Sequence, residues 1–172
     1  MVLLTQPLRD EHKELFPQVE SLRIAADAVG AASTAALQRD VNEAYAFLTR
    51  HLIPHAQAED RALYPMVQRV LGAPEATATM SREHVEVGKL TEQLAALRPA
   101  LDAGPLSETQ ANALRRVLYG LYAIITVHFA KEEEVYLPLL DARLTPEAAQ
   151  QMFTAMEEAA HAAKAALAGV TP

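Results

Sequence analysis

Apolar residues recur three and four apart along most of the chain, the period of helices buried along one face. Leu48, Leu52 and Leu63 share such a face in the first half, and Leu121, Ile124 and Ile125 in the second. Near the C-terminus, Ala148, Ala149, Met152, Phe153, Met156, Ala159, Ala160 and Ala163 form a further stripe. Breakers divide the pattern into five helical segments. The first runs from about Pro7 to Val29, with Thr5 near its start and Gly30 beyond its end. The second runs from about Thr34 to Val70, where Leu71-Gly72-Ala73-Pro74 stops it. The third runs from about Glu75 to Ala100, before a turn at Asp102-Ala103-Gly104-Pro105. The fourth opens at Ser107-Glu108-Thr109-Gln110, which has capping-box spacing, and reaches about Leu140. The fifth has Thr145 as N-cap and Pro146 as its first residue.

Short connections make neighbouring helices antiparallel. The expected fold is therefore all-α: an up-down-up-down four-helix bundle with an internal pseudo-twofold duplication and a C-terminal fifth helix. The 172 residues read as one domain, with a core bundle over 8–140 and an appended helix over 146–168. That last helix either covers one side of the bundle or forms a dimer interface, so a monomer and a homodimer are both expected states. Pro17 and Pro54 fall inside helical patterns and predict local kinks.

Composition agrees with helices and removes several functions. Half of the chain is hydrophobic, with no Trp and only six Gly. The net charge is −7, and no Lys/Arg cluster offers the basic stripe that nucleic acid requires. The absence of Cys excludes disulfides, zinc ribbons, thiolate clusters and Cys nucleophiles. Any metal must be held by His, Asp, Glu or Tyr, which suits iron, manganese or zinc. Met1 to Pro7 does not read as a signal peptide, and the longest apolar stretch, Val117 to Ala130, is too short for a bilayer. The expectation is a cytoplasmic protein with no membrane partner.

The chemistry lies in a repeat. His55-Ala-Gln-Ala-Glu59-Asp60 is followed by Pro65, and His128-Phe-Ala-Lys-Glu132-Glu133 by Pro138. Each unit has a second His upstream: His12 lies 43 residues before His55, and His84 lies 44 before His128. Counting residues to each turn, at ~1.5 Å per residue, returns every one of these side chains to the same height in the bundle. A His and a Glu four apart share a helix face, and here that face is apolar. Burying four imidazoles and two carboxylates in such a face is costly without a compensating charge. Two cations supply it, and hydroxide or oxide could bridge them. A lone His-x-x-x-Glu is ordinarily a surface pair; two of them, each with a matching upstream His, read as a two-metal site. The metal candidates are His12, His55, Glu59, His84, His128 and Glu132.

His51, one turn before His55, is a further candidate as a seventh ligand, an orienting group or a pocket-lining residue; its repeat counterpart is Ile124. Glu11, Asp60, Glu83 and Glu133 each neighbour a candidate ligand and are expected about 100° round the helix, as surface charges or partners of the ligands. Tyr64 and Tyr136 are expected at the core rim, with a phenol near an oxidising metal as the alternative, and His161 in solvent.

The residues His12, His55-x-x-x-Glu59, His84 and His128-x-x-x-Glu132 resemble the hemerythrin-like, HHE cation-binding family over about Leu8 to Leu140. The resemblance implies an oxo- or hydroxo-bridged di-iron centre. Glu59 and Glu132 would be bridging carboxylates, and the four histidines terminal ligands. The oxygen-carrying members have a His-x-x-x-His pair on the third helix, where this chain has His84 and then Gly88. They also end the motif with an Asp five residues after the last His, where this chain has Glu132 at four. One protein ligand is missing unless His51 or a water replaces it. The extra open position favours redox reactivity with dioxygen, peroxide or nitric oxide over reversible oxygen carriage. The set looks more like the iron- and oxygen-responsive members. The functions expected are small-oxidant binding in sensing or stress response, then a peroxidase-, catalase-like or oxygenase activity, with iron buffering or a zinc site behind them.

Overall fold

The computed structural model describes residues 3–168, and they form a helical bundle with no strand among them. Helix α1 spans Gln6–Ala28 and α2 spans 34–71. Helix α3 is Ala78–Asp102, α4 spans 108–143 and α5 is Pro146–Ala168. α1 packs against α2 and α4, and α3 packs against the same two, so the four close into a ring. α5 lies outside that ring against the 53–63 stretch of α2. No described helix is long and apolar enough to cross a membrane.

The ends follow local chemistry. Ser33 caps α2 by accepting from the Ala36 N–H at 3.3 Å. Ser107 and Gln110 form the expected capping box of α4. Thr145 accepts from the Ala148 N–H at 3.2 Å and starts α5. Thr5 turns away from α1: its N–H and hydroxyl both donate to Asp141, each at 2.9 Å, pinning the start of α1 to the end of α4. α3 begins three residues later than the sequence suggests, because residues 73–78 turn back on themselves through the Ala76 to Ala73 and Ala78 to Glu75 hydrogen bonds. Gly72 ends α2 with φ +65°, a conformation that L side chains resist.

Two of the helices contain wider, π-helical turns. These lie at Leu48–Leu52 and Glu59–Leu63 in α2 and at Glu132–Tyr136 in α4. In each, the closing N–H reaches back five residues, as Tyr64 does to Glu59. A proline follows each turn by two residues: Pro54, Pro65 and Pro138. Proline lacks the N–H that would continue the ordinary ladder, so the wider turn absorbs the mismatch. The kink expected at Pro54 takes this form, whereas Pro17 sits within an uninterrupted α1.

The apolar interior falls into two clusters. One, built on Val19, Leu22, Leu48, Leu94, Leu118 and Leu121, fills the ring at one end. The other joins Leu8, Leu63, Val67, Met80 and Leu137 with Met152 and Met156 of α5. Each fully buried Leu contributes about 1.5–3 kcal/mol. Between the clusters lies a layer of buried polar side chains: His12, His55, Glu59, His128 and Glu132.

Candidate metal centre

Each helix of the ring brings its histidine to this layer, and α2 and α4 add the glutamates. Glu59 and Glu132 are fully buried, and His12, His55 and His128 are each 4 % exposed. The ligand atoms fall into two sets that share their carboxylates. Glu59 Oε1 lies 3.0 Å from His55 Nε2 and 3.7 Å from His12 Nε2. Its other oxygen lies 3.3 Å from His84 Nε2 and 3.9 Å from His128 Nε2. Glu132 divides in the same way, with Oε2 3.4 Å from His12 Nε2 and Oε1 3.6 Å from His128 Nε2. His12, His55 and Glu59 form one potential cation-holding group, and Glu59, His84 and His128 another.

The outward nitrogens decide what the inward ones can do. His12 Nδ1 meets Glu133 at 2.8 Å, His55 Nδ1 meets Glu11 at 3.1 Å, His84 Nδ1 meets Asp60 at 2.9 Å and His128 Nδ1 meets Glu83 at 2.9 Å. Each carboxylate neighbours in sequence a member of the inner set. A carboxylate accepts, so each Nδ1 carries its proton outward, and in the neutral imidazole each Nε2 turns a lone pair inward. With the imidazoles neutral, as a cation requires, the result is a cage of lone pairs. His84 and His128 bring their Nε2 atoms within 3.0 Å of each other. His12 Nε2, His55 Nε2, both Glu59 oxygens and Glu132 Oε2 are buried without a hydrogen-bond partner. Such a donor set is unfavourable alone and fits cations.

Protonation responds to the same crowding. Burial opposes a charged His128, yet the hydrogen bonds and charges of Glu132 and Glu59 prevail and raise it to about 10. Burial opposes the charge of the other three as well, yet Glu59 and Glu132 raise His12, Glu59 and Glu11 raise His55, and Asp60 and Glu59 raise His84. Burial would raise Glu59, but the His55 charge and the surrounding imidazoles hold it well below the usual carboxylate range.

One donor points inward, from a residue that sequence reasoning placed at the rim. The Tyr64 hydroxyl donates to Glu132 Oε1 at 2.8 Å and lies 3.1 Å from His128 Nε2 and 3.4 Å from His84 Nε2. Its ring stacks on His84 with centroids 5.4 Å apart. The buried phenol holds its proton far more strongly than an exposed one, through burial and the charges of Glu59 and Glu132. Tyr136 stays outside and donates to the Ala76 carbonyl at 3.0 Å. The position that the repeat aligns with Tyr64 is Leu137, and this difference was the available signal.

His51 does not join the cage. It is exposed and lines an outer groove with Gln18, Ser21, Glu43 and Arg50. The π-helical turn at Leu48–Leu52 breaks the four-residue register between His51 and His55, and buried Leu52 faces inward instead. His161 is exposed.

Three openings touch the layer. A cleft of about 520 Å³ is lined by Arg9, His12, Lys13, Phe16, Phe129 and Glu133. A narrower slot of about 170 Å³ runs between α1, α2 and α5, past Pro7, Glu11, Phe153, Met156 and Glu157 to His55. An apolar cavity of about 20 Å³ is walled by Leu52, Val87, Ile125 and Phe129 and floored by His55, Glu59, His84 and His128. It is the size of one water molecule.

No curated protein and no solved structure matches the chain significantly. The sequence profile described as the hemerythrin HHE cation binding domain matches residues 3–140, which takes in all six ligand candidates and leaves α5 outside. The chain belongs to the hemerythrin HHE cation-binding family.

Proposed function

We propose that the protein is a non-haem di-iron protein that binds dioxygen or a related small oxidant, peroxide or nitric oxide, in sensing or in the response to oxidative or nitrosative stress. His12 and His55 would hold one ion, His84 and His128 the other, and Glu59 and Glu132 would bridge them. The observation that carries this reading is the division of both carboxylates between two histidine pairs. The recurrence of an upstream His, a His-x-x-x-Glu unit and an outward carboxylate for each His in both halves supports an internal duplication and a one-domain bundle with an appended helix. A bound iron pair supplies one- and two-electron exchange with small oxidants at neutral pH.

The chain's own residues set the conditions for that chemistry. Leu52, Val87, Ile125 and Phe129 keep the small cavity dry and limit its occupant to a few atoms. Gly88 leaves the third helix one ligand short, and a Cβ there would meet nothing within 4 Å, so space remains beside His84. The Tyr64 hydroxyl holds a proton at Glu132 Oε1.

That phenol also favours a second reading, an enzyme of peroxidase- or catalase-like type, because an oxidisable ring stands against the centre. The first experiment is metal analysis with a near-ultraviolet and visible spectrum of the same sample. About two irons per chain, with charge-transfer bands that move on adding azide or peroxide, are expected. Zinc or no metal, and no bands after anaerobic iron loading, would overturn the reading. Peroxide turnover well above that of free iron would move the conclusion to the enzyme.

A further inference from the structure

The four carboxylates that orient the histidines are not equally secured. Glu133 also binds Arg9 at 2.6 Å, Asp60 accepts from the Ser81 hydroxyl at 2.6 Å, and Glu83 pairs with Lys131. Glu11 has no partner besides His55 among the described residues, and its side chain is 49 % exposed. The repeat explains the difference. Ala58 occupies the position that aligns with Lys131, so the cation that neutralises Glu83 has no counterpart beside Glu11.

The slot opens where that cation is missing. Ala58 and Glu11 line it, α5 roofs it with Phe153, Met156 and Ala160, and Glu157 adds a second carboxylate with no ion-pair partner among the described residues. Its inner end is His55, a buried imidazole whose Nδ1 meets Glu11 in the slot and whose Nε2, without a hydrogen-bond partner, faces the inner layer beside Glu59. The wider cleft on the His12 side is mainly apolar; Glu133 in its wall is paired with Arg9, which leaves Lys13 as its unmatched charge. The two openings therefore differ in charge. A cation is attracted to the first and repelled at the second.

We infer that the slot between α1, α2 and α5 is the path by which a divalent cation enters the centre, captured by Glu11 and Glu157 and passed to His55. This rests on the dinuclear reading above. Glu11 has two tasks in it. An ion at the mouth competes with the His55 Nδ1–H for the Glu11 carboxylate, which releases the imidazole to turn towards the ion. As the ion moves inward, Glu11 recovers its hydrogen bond and fixes His55 again. α5, which the family profile does not cover, makes the route by roofing it.

The test is the rate of anaerobic ferrous iron uptake by the metal-free full-length chain, followed by stopped-flow absorbance, with final iron per chain measured separately. Glu157→Lys places a cation at the mouth and touches no ligand. It is expected to slow uptake about tenfold at low ionic strength, with the same final iron content and the same melting temperature. The difference should shrink in about 1 M salt, where the screening length is ~3 Å. Lys13→Glu, at the other cleft, should leave the rate within about twofold. An unchanged rate for Glu157→Lys, or an equal effect of charge at both openings, would overturn the route while leaving the dinuclear centre intact. A wild-type chain that takes up no iron would overturn both.

Discussion

His12 and His55 lie under Phe129, whose ring stacks on His12 at a centroid distance of 4.3 Å, and both clefts to the exterior end on this pair. His84 and His128 lie beside Tyr64, and Ser81 and Lys131 brace their outward carboxylates. The pairs draw on the same two glutamates and the same helix geometry. What distinguishes them is the set of residues one step further out: a leucine against a tyrosine, an alanine against a lysine. The repeat therefore sets two similar histidine pairs on shared carboxylates, and its departures tell the pairs apart. The first pair ends the two clefts, and the second has the Tyr64 proton held beside it at Glu132.

The largest expected effect removes what the pairs share. Glu59→Ala should lower iron from about two per chain to none, because each pair loses its nearest carboxylate oxygen; retention of one tightly held iron would mean that one pair binds without the bridge. A smaller effect separates them. Glu133→Ala should weaken the ion at His12, and Asp60→Ala the ion at His84, each by about 10–100-fold, as is usual when a ligand imidazole loses its orienting carboxylate. Chelator titration should then resolve two phases, with a different one displaced in each variant; identical titrations would erase the distinction between the pairs.

Tyr64→Phe acts on the second pair alone. It should keep two irons, alter the visible spectrum and cost the metal-free chain about 1 kcal/mol in chemical denaturation, the net worth of one buried hydrogen bond. An unchanged spectrum would return Tyr64 to a packing role. The smallest effect lies beyond the first pair. Asp141 is held below its ordinary value: burial opposes this, but the hydrogen bonds from Thr5 and Arg9 prevail. Its contribution is therefore present above the ordinary carboxylate pKa and is lost as pH falls through the depressed one. Asp141→Asn should cost about 1 kcal/mol at neutral pH, and the gap to the wild-type chain should close in acid. A gap that is constant with pH would remove the charge from the explanation.

Most of this architecture is legible in the sequence because helices announce themselves by period and by punctuation. Ser107 with Gln110, and Thr145 with Pro146, mark ends that the structure reproduces. The six inward-facing side chains are legible because a repeat multiplies a weak signal: one His-x-x-x-Glu means little, and two with matched upstream histidines constrain each other. What escaped is what breaks the regular helix or the repeat. Counting at 3.6 residues per turn put His51 on the inner face, and the π-helical turn before Pro54 moved it out. Pro54, Pro65 and Pro138 all carried that message, but a proline in a helix also reads as a simple kink. The sequence allows a phenol near the metal from either Tyr64 or Tyr136, and what separates them is that the repeat aligns Tyr64 with Leu137, not with Tyr136. The slot past Glu11 escaped because it belongs to the packing of α5, which no spacing rule fixes.

The polar layer between the two apolar clusters has a mechanical meaning. Neither cluster reaches across it, so in the metal-free chain the ends of the bundle are joined by backbone and by the polar contacts of that layer. Ions held in the layer would be shared by all four helices of the ring, so neither end could open without surrendering them. Cooperativity, which most small bundles draw from one continuous core, would here depend on the solution: the abundance of metal around the protein would set how far the two ends melt together.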